Sequence, residues 1–286
     1  MCGLLVDGPR VRGLQVRLGA AAALAAVVGA CGSQIDALDV PVVRPPSPAP
    51  AGIYGGTLSS VADDRTLAVT ALVSPERIFA FDEDGELIAS GRYETSGRDL
   101  NWQARGFQRR EAPPAGDDGE APGDTPAPGE TVRRLAITAT GGFDPEARIL
   151  MSYAASVEGE SDVIDSGNIS WSYARAQYER RSDLPLVAGT WVNEDNFGTA
   201  TASFSISEGG DLFGQDADGC NYSGRLSLID QKFNLYGASL RIQCSGTPSP
   251  RLESGLATLR RAGTDEMLVI VTTSASSATL LRLNPG

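Results

Sequence analysis

Residues 220–244, CNYSGRLSLIDQKFNLYGASLRIQC, have the pattern of one antiparallel hairpin that begins and ends at a cysteine. Apolar and polar residues alternate along both arms, as in strands that bury one face. A one-residue slip would turn every buried side chain outward, so the register is strongly specified. Placing Cys220 opposite Cys244 aligns four further pairs on one face: Tyr222 with Ile242, Gly224 with Leu240, Leu226 with Ala238, and Leu228 with Tyr236.

The same alternation continues outward from this hairpin, over most of the chain from Gly52 onward. In residues 202–207 Ala, Phe and Ile alternate with Ser, and residues 169–174 alternate in the same way. Gly- and Asp-rich breaks predict hairpin turns at 82–85, 141–142, 208–210 and 263–265. No long helical period follows the N-terminal region, so we expect an all-β fold of antiparallel meanders.

Three landmarks recur in the same order, which predicts two units of similar build, 52–183 and 184–286. They are Gly52-Ile53-Tyr54 with Gly189-Thr190-Trp191, residues 81–87 with 206–212, and residues 135–154 with 256–274. We therefore expect two tandem meander or barrel-like units of about 100 residues each. The pattern leaves open whether they form separate barrels or one larger barrel.

The N-terminal region has a different pattern. Three arginines precede an apolar run over 18–30, which ends in the small residues Gly29 and Ala30 directly before Cys31. A basic start, a short apolar segment and small residues before a cleavage site are typical of a secretory signal. The run is shorter than the roughly 20 residues that a membrane-spanning helix needs. We therefore predict a cleaved signal peptide over 1–30 and an exported protein.

Export also predicts the state of the cysteines. Cys2 and Cys31 lie in or beside the leader, which leaves Cys220 and Cys244 in the exported part. Cysteines in an oxidising compartment pair, so we expect a disulfide between these two. They lack C-x-x-C spacing and a flanking cation, which favours a structural crosslink over a redox-active pair.

Two segments have too few large apolar residues to form a core. Residues 31–51 contain five prolines, which predicts an extended spacer of up to about 60 Å. Residues 111–130, EAPPAGDDGEAPGDTPAPGE, are acidic and rich in Pro, Gly and Ala, which predicts a disordered insert in the first unit. A binding loop is the alternative for this insert.

Charge and composition narrow the function classes. The net charge is −12 and the chain contains no histidine. Binding of nucleic acid needs a basic face, so we expect no nucleic-acid partner. Without histidine the chain lacks the usual general base, the Ser-His and Cys-His nucleophile pairs and the commonest metal ligand. We therefore expect no enzyme, no cofactor and no metal, with carboxylate-based hydrolysis as the remaining enzymatic alternative.

Two acidic stretches, 82–86 and 211–219, have some of the residues of calcium loops. Neither has the six-ligand spacing with a terminal Glu that such loops use. Asp-Gly is also the ordinary turn chemistry between strands, so we interpret both stretches as turns.

Val28-Gly29-Ala30-Cys31 resembles the lipobox of bacterial lipoproteins. The resemblance implies cleavage before Cys31, a diacylglycerol on its sulfur and an acyl chain such as palmitate on its new amine. In that family Asp after the cysteine retains the protein in the inner membrane. Gly32 stands there, so the resemblance implies a lipid anchor in the outer membrane, on its periplasmic or surface face. An ordinary signal peptide with an incidental cysteine is the alternative.

Ala188-Gly189-Thr190-Trp191-Val192-Asn193 resembles the opening of lipocalin-like and avidin-like barrels, with Gly52-Ile53-Tyr54 as a degenerate copy. In those families the tryptophan plugs one end of an eight-stranded barrel. For Trp191, a core aromatic that opens a strand is the alternative. The Gly-Cys-x-Tyr-Ser-Gly motif at 219–224 with its later cysteine also resembles uncharacterised bacterial envelope lipoproteins.

Three functions fit these expectations. The first is a lipid-anchored binding or interaction module, in which one or two barrels hold a small apolar ligand or meet an envelope protein. The second is a structural scaffold of the envelope without a ligand. The third is a carboxylate-based hydrolase, which needs acidic side chains that converge in a cleft. The sequence identifies no ligand-binding residue.

Overall fold

The computed structural model describes residues 49–110, 131–194, 199–262 and 265–286. The predicted signal peptide, Cys31, nearly all of the proline-rich spacer and the acidic insert at 111–130 lie outside these residues. The described chain is built from two closed antiparallel barrels of eight strands each. This confirms the prediction of an all-β fold with two tandem units, and the two units are separate barrels.

The first barrel is a simple meander in which each strand pairs with the next one. It closes where the first strand pairs with the eighth, for example at Thr57 and Ser170. Closure satisfies every sheet edge, so no unpaired strand is left exposed. Its strands are β1 (Gly52–Ser60), β2 (Thr66–Val73), β3 (Arg77–Asp82), β4 (Leu87–Ser96), β5 (Asp99–Arg110), β6 (Thr131–Asp144), β7 (Arg148–Val157) and β8 (Val163–Tyr173).

The second barrel follows after helix α1 (Arg175–Tyr178) and a 3₁₀ turn (Leu184–Leu186). It closes through two residue pairs, Val192 with Asn284 and Trp191 with Pro285. Its strands are β9 (Gly189–Glu194), β10 (Ala200–Ile206), β11 (Asp211–Asp216), β12 (Cys220–Leu228), β13 (Tyr236–Cys244), β14 (Arg251–Ala262), β15 (Asp265–Thr273) and β16 (Ala278–Pro285).

The hairpin at 220–244 forms strands β12 and β13 in the predicted register, with all four aligned pairs as expected. Its inward side chains belong to the core of the second barrel. Cys220 and Cys244 form the predicted disulfide at the open end of this hairpin.

One turn prediction is wrong. Gly141 and Gly142 lie inside β6, and the turn comes later, between Asp144 and Arg148. A Cβ atom at Gly141 would lie 2.1 Å from the carbonyl oxygen of Leu150 on the neighbouring strand. Glycine is required here because two backbones approach closely in a curved sheet, and the chain does not reverse at this point.

The predicted repeat holds for two of its three landmarks. Residues 52–54 and 189–191 open the first strand of each barrel, and 135–154 and 256–274 fall on the sixth and seventh strands. The remaining pair is not equivalent, because 81–87 joins the third and fourth strands whereas 206–212 joins the second and third. Both of these stretches are turns, and turn composition alone does not number the strands.

At the end where the chain enters each barrel, a buried aromatic side chain bonds to the backbone just before the first strand. The hydroxyl of Tyr54 donates to the carbonyl of Pro50 at 2.9 Å in the first barrel. In the second, Nε1 of Trp191 donates to the carbonyl of Val187, also at 2.9 Å. Each aromatic residue thus bonds the chain four residues before it. We call this the entry end of each barrel.

The two barrels pack side by side through a second apolar layer outside both cores. Tyr178 of α1 stacks on Phe233 with ring centroids 4.6 Å apart, and Ser90 and Thr273 share a hydrogen bond of 2.7 Å between their hydroxyls. Strands that face this layer are buried on both sides, so residues 78–81 of β3 and 267–271 of β15 are apolar without interruption. The layer contains Ile53, Leu72, Phe79, Phe81, Ile88, Tyr178, Leu235, Leu256, Val269 and Val271.

Candidate ligand-binding cavity

The interior of the first barrel contains a cavity of about 140 Å³, and all eight strands contribute to its lining. Small inward residues leave this space, among them Ala80, Ala89 and Ala155 on three different strands. An apolar cavity of about 150 Å³ holds a benzene-sized molecule in another protein. The space is therefore large enough for a single ring with a small substituent.

The wall of the cavity is aliphatic. Deep in the barrel it is formed by buried Val69, Leu135, Ile137 and Ile169. Nearer the opening the wall consists of half-buried aliphatic side chains: Leu58, Leu67, Leu87 and Ile164. A ligand in this space would exchange water for apolar contact along most of its length.

Two tryptophans form the floor. Trp102 on β5 and Trp171 on β8 are 2% and 0% exposed, and their rings meet edge to face with centroids 5.9 Å apart. Neither indole N–H has a hydrogen-bond partner within the described residues. Both nitrogens are fully buried and expose almost no surface to the cavity, and an unsatisfied buried donor costs about 1–3 kcal/mol.

The opening lies opposite the entry end, at the turns that join β1 to β2, β3 to β4 and β7 to β8. We call this opening the mouth. Asp165 organises it, because its carboxylate accepts hydrogen bonds from the hydroxyls of Ser60 and Tyr153, both at 2.7 Å. It also accepts the amide of Ser166 at 2.8 Å. Burial and the bond to Asp165 raise the pKa of Tyr153, so this hydroxyl remains a donor at neutral pH.

Other charged and polar groups surround the mouth. Arg65 and Glu86 form an ion pair at 3.8 Å with both side chains more than half exposed, which contributes little to stability. Gln108 and Arg133 lie opposite each other on β5 and β6 and are half-buried. The site is therefore amphipathic, with an apolar interior and a polar mouth.

The second barrel has a core of large side chains. Large side chains such as Trp191, Phe204 and Tyr236 pack there with leucines and isoleucines. Gly214 makes room for this packing, because a Cβ atom at that position would lie 2.2 Å from the ring of Phe204. This barrel has the packed core of a structural unit.

The acidic stretches considered as calcium loops have structural partners. Asp216 accepts the amide of Cys220 and the hydroxyl of Tyr222, each at 2.8 Å, and Asp82 accepts the amide of Leu87 at 3.1 Å. Across the described ranges, no group of three or more His, Cys, Asp or Glu side chains could hold a metal ion.

Sequence reasoning missed the cavity and its two tryptophans. Trp102 and Trp171 occupy inward positions of alternating strands, where a tryptophan ordinarily means core. The available signal was the number of inward Ala and Gly residues in the first unit, such as Ala89, Gly106 and Ala155. The number of strands sets the diameter of a barrel, so small inward side chains leave part of its interior unfilled.

Comparison with known proteins assigns no family. The chain matches no family model, no curated protein and no solved structure. In the part of the chain that the structure describes, no helix is long and apolar enough to cross a membrane. Function is therefore inferred from the cavity itself.

Proposed function

We propose that this protein is a non-enzymatic binding module whose first barrel takes up a small, mainly apolar molecule. The cavity of about 140 Å³ carries this proposal. Ligand sites are typically concave and apolar with a few polar groups that fix orientation, and this cavity has both properties. An envelope scaffold without a ligand would gain nothing from such a space, because an unfilled interior loses packing contacts.

A hydrolase is less well supported by the same site. Asp165 is a carboxylate at the mouth whose oxygens already accept hydrogen bonds from Ser60, Tyr153 and Ser166. These hydrogen bonds give Asp165 a structural role, since they connect it to β1, β7 and β8. General acid or base catalysis instead needs a carboxyl that can reach a substrate proton.

The proposed setting is the cell envelope, with a lipid on Cys31 as the link to the outer membrane. The basic and apolar N-terminal pattern supports export, and the disulfide between Cys220 and Cys244 is consistent with an oxidising compartment. Mass spectrometry of the native protein tests this. We expect an N-terminal peptide that begins at acylated Cys31, and an unmodified or different N-terminus would contradict the anchor.

Binding is tested by titrating the full chain with toluene, a one-ring probe that fits the cavity, in a calorimeter. We compare the wild type with Ala89→Leu, which extends a larger side chain into the cavity, and with Ala136→Leu. Ala136 is exposed on the outer face of β6, so its variant is the matched control. We expect Ala89→Leu to weaken binding by about tenfold or more and Ala136→Leu to leave it unchanged.

Two results would contradict the proposal. If toluene binds equally well to both variants, it binds outside the first barrel. If the wild type binds no one-ring probe at all, the cavity does not serve small apolar molecules. Thermal unfolding of each variant shows whether its fold is intact.

A further inference from the structure

We infer that the second barrel controls how fast a ligand enters and leaves the cavity, because it holds the β3–β4 turn at the mouth of the first barrel. This inference rests on the proposed binding function and adds a positioning residue, Arg282. The guanidinium of Arg282, on β16, donates a hydrogen bond of 3.1 Å to the carbonyl of Asp82, the last residue of β3. Asp82 also lines the cavity. One residue therefore connects the cavity to the neighbouring barrel.

The β3–β4 turn forms one side of the mouth, since Asp82, Glu86 and Leu87 all line the cavity. Within the turn, the carboxylate of Asp82 accepts the amide of Leu87 at 3.1 Å. The carbonyl of Asp82 accepts the amide of Gly85 at 3.4 Å. A displacement of Asp82 would therefore move the whole turn and change the width of the opening.

Three contacts connect this turn to the second barrel. The first is the hydrogen bond from Arg282. The second is an ion pair of 3.7 Å between Arg260 on β14 and Glu83, which is 65% exposed. In the third, Gly85 packs on β16, where a Cβ atom at its position would lie 3.2 Å from Cδ2 of Leu280. We expect the bond from Arg282 to be the strongest, because its donor is charged and it is partly buried, whereas exposed ion pairs contribute little.

The opposite side of the mouth is held within the first barrel itself. The carboxylate of Asp165, on β8, accepts the hydroxyl of Ser60 at 2.7 Å and the amide of Ala62 at 3.3 Å. These bonds attach the β1–β2 turn to a strand of the same barrel. The position of the β3–β4 turn depends in addition on the second barrel.

The contacts of the turn should determine the rate of exchange and leave the affinity unchanged. A molecule inside the barrel passes the mouth when the mouth widens, and a segment held by fewer contacts opens more often. Weaker contacts to the second barrel therefore speed entry and exit by the same factor. The affinity is the ratio of these two rates, and it depends on the aliphatic wall that the bound molecule contacts.

The test compares the wild type with Arg282→Met, which keeps an unbranched side chain and removes every donor. Arg241→Met is the matched control, since Arg241 is exposed on the outer face of β13. Calorimetry with fluorobenzene, a one-ring probe, gives the affinity, and ¹⁹F exchange spectroscopy of the same probe gives the dissociation rate. We expect Arg282→Met to raise this rate by about tenfold at unchanged affinity, as the loss of one hydrogen bond from a charged donor predicts. The control should match the wild type in both values.

Two milder variants separate positioning from a general loss of stability. Arg282→Lys retains a charged donor, so its dissociation rate should be closer to that of the wild type than to that of Arg282→Met. Glu83→Gln removes the ion pair at an exposed position, and it should raise the rate by about twofold. Thermal unfolding shows whether each variant is folded. If Arg282→Met does not fold, Glu83→Gln and Arg282→Lys decide the question.

Three results would overturn the inference and leave the proposed function intact. Equal exchange rates in the wild type and in the folded variants would mean that the turn does not limit passage. Faster dissociation with an equally large loss of affinity would mean that Arg282 shapes the cavity and does not act at the mouth. The same acceleration in Arg241→Met would reflect a general effect of lost positive charge. If the wild type itself binds neither fluorobenzene nor toluene, the proposed function is wrong.

Discussion

Asn234 connects three segments of the chain through one buried side chain. Its amide group donates to the carbonyls of Gln177 and Leu259 at 3.0 and 2.6 Å, and its oxygen accepts the amide of Leu259 at 3.2 Å. The residue is 1% exposed and belongs to the β12–β13 loop, which it connects to helix α1 and β14. It therefore satisfies backbone groups that the barrels do not pair themselves.

We expect Asn234→Ala to lower the free energy of unfolding by about 2–4 kcal/mol, because it leaves buried backbone groups without partners. Asn101→Ala is the control, since Asn101 is exposed on β5. Chemical denaturation of both variants measures the effect. Equal stability of Asn234→Ala and wild type would mean that water or a shift of the loop replaces the lost bonds.

Asp82, at the edge of the contact between the barrels, makes the stability of the fold depend on pH. Burial raises the pKa of its carboxyl above the ordinary value of 3.8. Between the ordinary pKa and the raised pKa, the native state keeps a proton that the unfolded chain has already lost. Raising the pH through this range therefore lowers the free energy of unfolding. Asn has the same shape, carries no charge and can still accept the amide of Leu87.

We therefore expect the stability of Asp82→Asn relative to wild type to increase between pH 3 and pH 7. Urea unfolding at a series of pH values measures this difference. Asp162→Asn, at an exposed position in the β7–β8 turn, is the matched variant. A difference for Asp82→Asn that stays constant with pH would show that the pKa of this carboxyl is the same in the native and unfolded states.

At the scale of elements, the hairpin of β12 and β13 was the most predictable part of the fold. Its cysteines, its alternation and its small-to-large pairs such as Gly224 with Leu240 all specify one register. Gly141 and Gly142 were not predictable in the same way. Adjacent glycines suit both a tight turn and the close approach of neighbouring strands, and only the closed barrel distinguishes the two.

The disulfide should stabilise the second barrel locally. We expect Cys220→Ser/Cys244→Ser to lower the free energy of unfolding by about 3–4 kcal/mol, since the bond closes a loop of about 25 residues. Toluene binding by the first barrel should persist in the folded variant. Guanidinium denaturation and a toluene titration measure the two effects. Loss of binding with retained fold would mean that the cavity depends on the second barrel.

At the scale of the whole molecule, the layer between the barrels explains where alternation fails. Residues 78–81 and 267–271 are apolar without interruption, because one face lines a barrel and the other meets the neighbouring barrel. A large apolar contact of this kind holds two units together as one body. The described barrels accordingly belong to a single compact unit.

Phe79 tests this layer, because it is 2% exposed and faces away from the cavity. We expect Phe79→Ala to lower the free energy of unfolding by about 3–5 kcal/mol. Phe213→Ala is the control, since Phe213 is 62% exposed on the outer face of the second barrel. Calorimetric unfolding of both variants makes the comparison. Equal effects would mean that the layer contributes no more than ordinary surface.

The cavity could not have been located from alternation alone. Trp102 and Trp171 are on the fifth and eighth strands, and they meet only because the barrel closes. Alternation identified which residues point inward, but whether inward residues fill the barrel depends on its diameter and on the partner of each side chain. The second barrel has the same strand number and alternation, yet large side chains such as Phe204 and Tyr236 pack in its core.

Residues 49–52 join the first barrel at its entry end, which forms its base. There the carbonyl of Pro50 accepts the hydroxyl of Tyr54, and the mouth lies at the far end. A bead, an acyl group or a fused protein coupled upstream of these residues therefore connects to the base. Solutes diffusing in the surrounding water reach the opposite rim without crossing that attachment. Immobilised protein should then take up toluene as fast as protein free in solution.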